Sequence, residues 1–326
     1  MIMNQKEEEY MIYFTSDLHL GHENAIKHCC RPFSSAEEMD EYIVSNWNKR
    51  VHKDDTIYIV GDITLKNVGG DEFVRRLKGK KILICGNHDQ FIRQPGATEL
   101  FEDIKMMEEL HINGKRVTLC HYPMIEWPGS RRDPGTKPYG YLVYGHIHNG
   151  AKEIFRHLYE SENAFNAGMD VNGFIPVTWD ELVENNMAYR KKAIDLLKRL
   201  PEGEKTLVRF TDMTLNETPF RQIERGEKTV EIRLNDEKRQ QLQVGDLIRF
   251  TLKDGNERLF VEVTSLKHFP SFHKAFTYKK RVTEAGFGEM TAAQAATEMR
   301  KYYSEKDEQE NGVLAIGVKL FYKNEQ

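Results

Sequence analysis

Apolar and polar positions over the first two-thirds of the chain fall into short blocks with two different periods. Residues 11–14, 56–60, 81–84, 116–119 and 141–144 are runs rich in Ile, Val, Leu and aromatics, the length and make-up of buried strands. Between them, Ser35 followed by Ala36, Glu37 and Glu38 opens a helix whose Met39, Tyr42, Ile43 and Trp47 form an apolar stripe, and 70–77 offers a shorter one. Strand and helix alternate, which predicts an α/β layered fold. From Trp179 the pattern turns helical, with Asp180 as cap, and runs through Leu182, Val183, Met187, Ile194 and Leu197 until Pro201 and Gly203 stop it. Beyond, 206–210, 229–234, 247–252, 259–266 and 313–320 read as strands with few long helices between them, a small β-rich, barrel-like domain. The expected organisation is a first domain over 10–183, a helical linker over 184–206 and a second domain over 207–322.

Length supports the division, since 326 residues with 39% hydrophobic side chains exceed an ordinary single domain. No apolar run reaches the ~18 residues of a membrane span, and the start, with Glu7, Glu8 and Glu9, lacks the basic-then-apolar order of a secretory signal. A cytoplasmic protein without membrane partners is expected. Cys29 and Cys30 are adjacent, while Cys85 and Cys120 each end an apolar run, so neither a disulfide framework nor a CxxC zinc site is predicted. The net charge of −4 is uneven: residues 1–204 hold 26 basic and 32 acidic side chains, residues 205–326 hold 21 and 19. Neither part is basic enough to imply nucleic acid by bulk charge, so any such binding needs a local patch.

The candidate chemistry sits at the ends of the five N-terminal strands. The first ends in Asp17-Leu18-His19, the second in Gly61-Asp62, the third in Gly86-Asn87-His88-Asp89, the fourth in His121-Tyr122-Pro123 and the fifth in Gly145-His146-Ile147-His148. These are the carboxyl ends of strands, where α/β sheets place their sites. Asp, His and Asn are oxygen and nitrogen donors for borderline divalent metals, with no cysteine competing among them. Asp62 is the natural bridge between two such metals, which at about 3.5–4 Å apart acidify a shared water and clamp the oxygens of an in-line phosphoryl displacement. Gly61, Gly86 and Gly145 let the backbone approach closely.

These five blocks, in this order, resemble the calcineurin-like metallophosphoesterases. The resemblance covers about residues 10–183 and implies an α/β sandwich with metals at the strand ends. It implies that Asp17, His19, Asp62 and His148 bind one metal and Asp62, Asn87, His121 and His146 the other. It also makes His88 the residue that stabilises or protonates the leaving oxygen, while Asp62 holds both cations around a metal-bridging hydroxide. The stretches Gly21-His22-Glu23-Asn24, Cys30-Arg31-Pro32-Phe33 and Asn166 to Val171 are similar to a bacterial and phage subgroup. Mn²⁺ is the first choice for the two metals, with Zn²⁺, Fe or Ni²⁺ as alternatives. His22 and Asn24 are candidates to touch a substrate phosphate. So are Arg131 and Arg132, in the Gly- and Pro-rich segment that begins five residues after His121.

In the second domain, Gly226, Lys228, Glu231 and Arg233 look like the Gly-x-Lys-x-x-Glu-x-Arg signature of the ASCH domain, a relative of PUA-like RNA-binding barrels. Tyr302-Tyr303-Ser304 and Gly312 to Ile316 resemble that domain's end. The resemblance covers about 207–322 and implies binding of RNA or a modified nucleoside, with Lys228, Glu231 and Arg233 as candidate substrate residues. The expectation is a metal-dependent phosphoester hydrolase, a phosphodiesterase or nuclease-like enzyme on RNA or a nucleotide, with the ASCH domain selecting the substrate. Two rivals are an RNA-binding protein whose phosphoesterase half is a scaffold, and an amidohydrolase on a modified nucleoside. The oligomeric state is not legible.

Overall fold

The computed structural model describes residues 10–66, 69–112, 114–130, 139–199, 201, 205–278 and 280–323. The chain divides into two compact units, the first ending at Val208 and the second beginning at Arg209.

The first unit opens with β1 (Ile12–Thr15), α1 (Glu23–Cys29), α2 (Ala36–Arg50), β2 (Thr56–Ile59), α3 (Gly70–Arg75), β3 (Lys80–Ile84) and β4 (Asp103–Lys105). Its four strands form an all-parallel sheet in the order β1-β2-β3-β4. The chain then crosses at Met106 into β5 (Met107–Ile112), β6 (Lys115–Cys120), β7 (Gly140–Tyr144), β8 (Gly150–Lys152), α4 (Arg156–Glu160), β9 (Ala164–Asn166), α5 (Met169–Asn172), α6 (Trp179–Leu197) and β10 (Lys205–Leu207). The second sheet runs β5-β6-β7-β9, with only β5 antiparallel.

Strand alternation builds the layers. Phe14, Val60 and Ile84 turn inward and pack with Val117, Leu119, Val143 and Phe165 of the second sheet. Their neighbours Tyr13, Ile59 and Leu83 face the other way, onto Met39, Ile43 and Trp47 of α2. Ser35 caps α2 by accepting from the Glu38 amide at 3.2 Å, and Glu37 and Glu38 at its start with Lys49 and Arg50 at its end complement the helix dipole. The buried stripe is Ala36, Met39, Asp40, Ile43, Val44 and Trp47, whereas Tyr42 is exposed. Because both sheets are mostly parallel, the carboxyl ends of β1, β2, β3, β6 and β7 bring their loops to one edge of the sandwich. This is the architecture the sequence predicts.

The cap of α6 is Thr178, whose amide donates to the Glu181 carboxylate at 2.9 Å; Asp180 lies in the first turn. Tyr189, Ala193 and Leu197 of α6 are buried, and β10 pairs antiparallel with β8. The segment expected as a linker, 184–206, thus holds most of α6 and the start of β10, both inside the first unit. The single strand expected over 206–210 is divided, its first half in β10 and Phe210 at the start of the second unit.

That unit contains β11 (Phe210–Leu215), α7 (Glu217–Glu224), β12 (Val230–Leu234), α8 (Glu237–Gln240), β13 (Leu247–Leu252), β14 (Arg258–Phe269), α9 (Phe272–Phe276), α10 (Arg281–Glu284), α11 (Ala292–Met299), α12 (Glu305–Asn311) and β15 (Val313–Tyr322). The sheet order is β11-β13-β14-β15-β12, with β11 and β13 parallel and the other pairs antiparallel. Register shifts at Phe260/Val261 and Val263/Ser265 bend β14 and curl the sheet into a half-barrel. One core packs Phe220 and Ile223 of α7 on one face, and another packs Phe272, Phe276, Ala295 and Met299 of the short helices on the other.

Candidate metal centre

The loops that leave the strand ends are strained where the donors sit. Among the eight non-glycine residues with positive φ in the described chain are Asp17 (56°), His19 (51°), Asp62 (58°), His146 (72°) and His148 (52°). A left-handed non-glycine residue costs on the order of 1 kcal/mol, so surrounding bonds must hold each one. Asp89 accepts from the amides of Asp62 (2.9 Å), Ile63 (2.9 Å) and Gly86 (2.7 Å), tying the loop after β2 to the loop after β3. The His146 amide donates to both Asp17 carboxylate oxygens at 3.0 Å, joining the two sheets. Gly61 and Gly86 allow the crowding: a Cβ on Gly61 would lie 2.4 Å from His121 Nδ1, and one on Gly86 2.2 Å from Asp62 Oδ1.

Two donor clusters result, Asp17 with His19 and His148, and Asp62 with His121 and His146. Asp62 Oδ2 stands 3.4 Å from His121 Nε2 and 3.9 Å from His19 Nε2, so it reaches both. Asn87 Oδ1 lies 3.1 Å from His121 Nε2 and 3.0 Å from His146 Nδ1. The far ring nitrogens are fixed: His121 Nδ1 faces the Val60 carbonyl at 2.8 Å and His148 Nδ1 faces Asp170 at 2.8 Å. Each bond leaves Nε2 aimed at the cluster. The Nε2 atoms of His19 and His148 are 3.2 Å apart, a convergence of nitrogen donors that suits a cation. No thiol belongs to either cluster, and the set of imidazole, carboxylate and amide donors fits divalent transition metals.

Electrostatics point the same way. Burial lowers His19 to about 2, helped by His148 and Arg31, so its ring is neutral and ready to coordinate. Burial also disfavours charge on His121 and His148, but neighbouring carboxylates outweigh it. Asp62 and Asp17 raise His121 to about 9, and Asp17 and Asp170 raise His148 to about 11. Asp62 is held down to about 2, its burial outweighed by the His121 hydrogen bond and charge. Without cations, protons on His121 and His148 balance the carboxylates.

A third group sets Cys29 and Asp170 against His148, with Asp170 on its Nδ1. Both Asp170 oxygens are taken by the Arg31 fork at 2.8 and 2.9 Å. Arg31 also donates to the carbonyls of Leu18 (2.8 Å) and Asp17 (2.7 Å), so one buried guanidinium clips the β1 loop to α5.

The clusters open into a cleft of about 270 Å³ lined by His19, His22, His88, His146 and His148 and, on its other wall, Lys152, Phe155 and Leu207. His88 is half-buried, its ring 5.6 Å from that of His19 and its amide bonded to Asp62 Oδ1 at 2.9 Å. His22 is 5.6 Å ring to ring from His19. Asn24 is exposed on the first turn of α1 and is not part of the cleft wall. Arg131 and Arg132 lie outside the described residues. His28, which no sequence motif singled out, also lines the cleft. Arg31 and Asp170 stood in recognised stretches, but no local signal assigned them to each other.

In the second unit, Lys228 and Glu231 are each 5% exposed. Arg233 Nε donates to Glu231 at 2.7 Å, and Lys228 Nζ donates to the Ala285 carbonyl at 2.5 Å. Lys228 Nζ is also 3.3 Å from Glu231 Oε2, yet that oxygen accepts no well-aligned hydrogen bond. Burial alone would raise the Glu231 pKa; the charges of Lys228 and Arg233 bring it below its usual value. The three candidates are therefore one closed ion network.

Residues 11–168 match the calcineurin-like phosphoesterase superfamily domain and residues 213–321 the ASCH domain. An uncharacterized protein of Methanocaldococcus jannaschii is 30% identical over 176 residues, covering 53% of this chain and 89% of the relative. The gene 66 protein of Mycobacterium phage L5 is 26% identical over 221 residues, covering 59% of this chain and 96% of the phage protein. A solved Aquifex aeolicus protein of unknown function is 28% identical, with a TM-score of 0.42 over 53% of this chain and 97% of its own.

Proposed function

The chain belongs to the calcineurin-like phosphoesterase superfamily and carries a C-terminal ASCH domain, and from that premise we propose a dinuclear phosphodiesterase acting on RNA or a nucleotide, with the ASCH domain binding or selecting the substrate. The family makes it a metal-dependent phosphoester hydrolase. The observation that carries the reading is Asp62, whose carboxylate lies within 4 Å of imidazoles from both donor clusters. Asp17, His19, Asp62 and His148 would hold one cation and Asp62, Asn87, His121 and His146 the other, with Mn²⁺ the first choice. Bound there, the cations would acidify a water and neutralise charge on the phosphoryl oxygens.

The protein's own groups do the rest. Asp170 and the Val60 carbonyl orient His148 and His121. His88, at the cleft wall, would deliver a proton to the leaving oxygen. The wall formed by Lys152, Phe155 and Leu207 offers a second ester substituent a cation and apolar surface, which favours a diester over a monoester. The test is hydrolysis of a chromogenic phosphodiester and its monoester counterpart by metal-stripped protein, with and without Mn²⁺, alongside Asp62→Asn and His88→Ala. Mn²⁺-dependent turnover of the diester that Asp62→Asn abolishes is the expected result; no turnover with any divalent metal overturns the reading.

A further inference from the structure

A second cleft is far from this chemistry in sequence and lies wholly within the second unit. It encloses about 560 Å³ between β14, β15 and α10, and Lys267, Arg281, Lys319, Tyr278, Thr264 and Ser265 line it. The register shift at Val263/Ser265 places Ser265 opposite Gly317. Alternation then puts Lys267 and Lys319, two residues on from each, on the face that carries Ser265 and Gly317. Gly317 keeps the floor open, because a Cβ there would lie 2.3 Å from Ser265 Oγ and 2.7 Å from Thr264 Oγ1. The hydroxyls are thus exposed between two lysines.

The cations are prepared for a ligand rather than used up by the fold. Among the described residues, neither Lys267 nor Lys319 has a carboxylate within 4.0 Å. Lys267 Nζ rests 3.4 Å above the centre of the Tyr278 ring, which holds the ammonium in place without neutralising it. Arg281, its side chain only 10% exposed, forms the back wall, paired with Glu284 at 3.3 Å, and its Nε has no partner. Glu284 lines the rim, and Glu262 stands opposite Lys319 in the ladder. Three cations and two hydroxyls thus converge where one carboxylate is already engaged and Lys267 faces none.

We propose that this cleft is an anion site, separate from the Lys228, Glu231 and Arg233 network, that holds a phosphate group of a nucleotide or of a polynucleotide strand. The chemistry shared by both sources is a phosphoryl oxyanion gripped by ammonium and guanidinium groups and by hydroxyl donors. The site stands whether or not the first unit turns over a phosphodiester.

The test titrates the full-length protein, with and without EDTA, with a fluorescein-labelled oligouridylate, and competes it with uridine monophosphate and with inorganic phosphate. Lys267→Gln/Lys319→Gln is compared with Lys253→Gln/Lys306→Gln, which removes the same charge from exposed positions outside the cleft. The cleft variant is expected to weaken EDTA-insensitive binding at least tenfold and to reduce the salt slope by about 1.4, from two lost phosphate contacts on a single strand. The control should change less than twofold. Competition by uridine monophosphate at matching affinity identifies a free nucleotide, and binding only by the oligomer identifies a strand. Equal effects of the two double variants, or no EDTA-insensitive binding by the unmodified protein, overturn the proposal. Hydrolysis of a small chromogenic diester should be the same in both variants, so failure of the phosphodiesterase reading appears in a different assay.

Discussion

Arg31→Met removes the one cation that pairs with Asp170 from the rear. Both side chains are essentially inaccessible, at 0% and 1% exposure, so the pair gains full strength from the low local dielectric and its loss cannot be repaired by water. Breaking a buried ion pair from one side costs about 3–5 kcal/mol, and the carbonyls of Asp17 and Leu18 lose their donors as well. Part of this is offset because His148 stays 2.8 Å from Asp170 and, without metal, is held charged by Asp17 and Asp170. The expected loss at pH 7 is roughly 4 kcal/mol, a large share of the ~5–15 kcal/mol that stabilises a native protein. Urea unfolding of metal-stripped protein by tryptophan fluorescence is the assay, because Trp47, Trp127 and Trp179 all lie in the first unit. The pH dependence has a definite sign. Arg31 helps depress Asp170 below its usual 3.8, a contribution present above the unfolded pKa and lost as pH falls through the folded one. The gap between variant and parent should therefore narrow below about pH 4. A loss under about 1 kcal/mol at pH 7, or a gap independent of pH, would refute the reasoning.

Three other outcomes are expected. Since His121 and His148 are raised to about 9 and about 11 without cations, loading both metals at pH 7 should release about two protons; calorimetry in two buffers of different ionisation enthalpy measures this, and near-zero release would contradict the assigned charges. Asp170→Asn keeps the size but weakens the hold on His148 Nδ1, so metal affinity should fall about 10–100-fold, read by competition with a chromophoric chelator; unchanged affinity would mean that Asp170 does not orient His148 for a metal. Glu231→Gln leaves Lys228 and Arg233 buried without their carboxylate and should destabilise the second unit by about 3–5 kcal/mol, seen as faster hydrogen exchange along β12. Phosphoester hydrolysis by the first unit should not change, whereas an amide hydrolysis lost in Glu231→Gln but kept in Asp62→Asn would favour an amidohydrolase role for that residue.

Local sequence sets the elements and the donor inventory. Strand runs and their terminal Asp, His and Asn blocks are short-range patterns, legible because alternation and turn chemistry act over a few residues. Ser35 capping α2 and Gly61 and Gly86 at crowded turns belong to the same class. The folded arrangement fixes what those residues meet. It moves the cap of α6 from Asp180 to Thr178, places Tyr42 in solvent, and gives 205–207 to the first unit through pairing with β8, because each depends on which surface is already covered. It also joins His19 to His148 across 129 positions and Arg31 to Asp170 across 139, and it opens the cleft between Lys267 and Lys319 beside a bulge no periodicity announces. Those distances carry no local signal: the partners are brought together by sheet stacking and strand register, and only then does burial make their charges depend on one another.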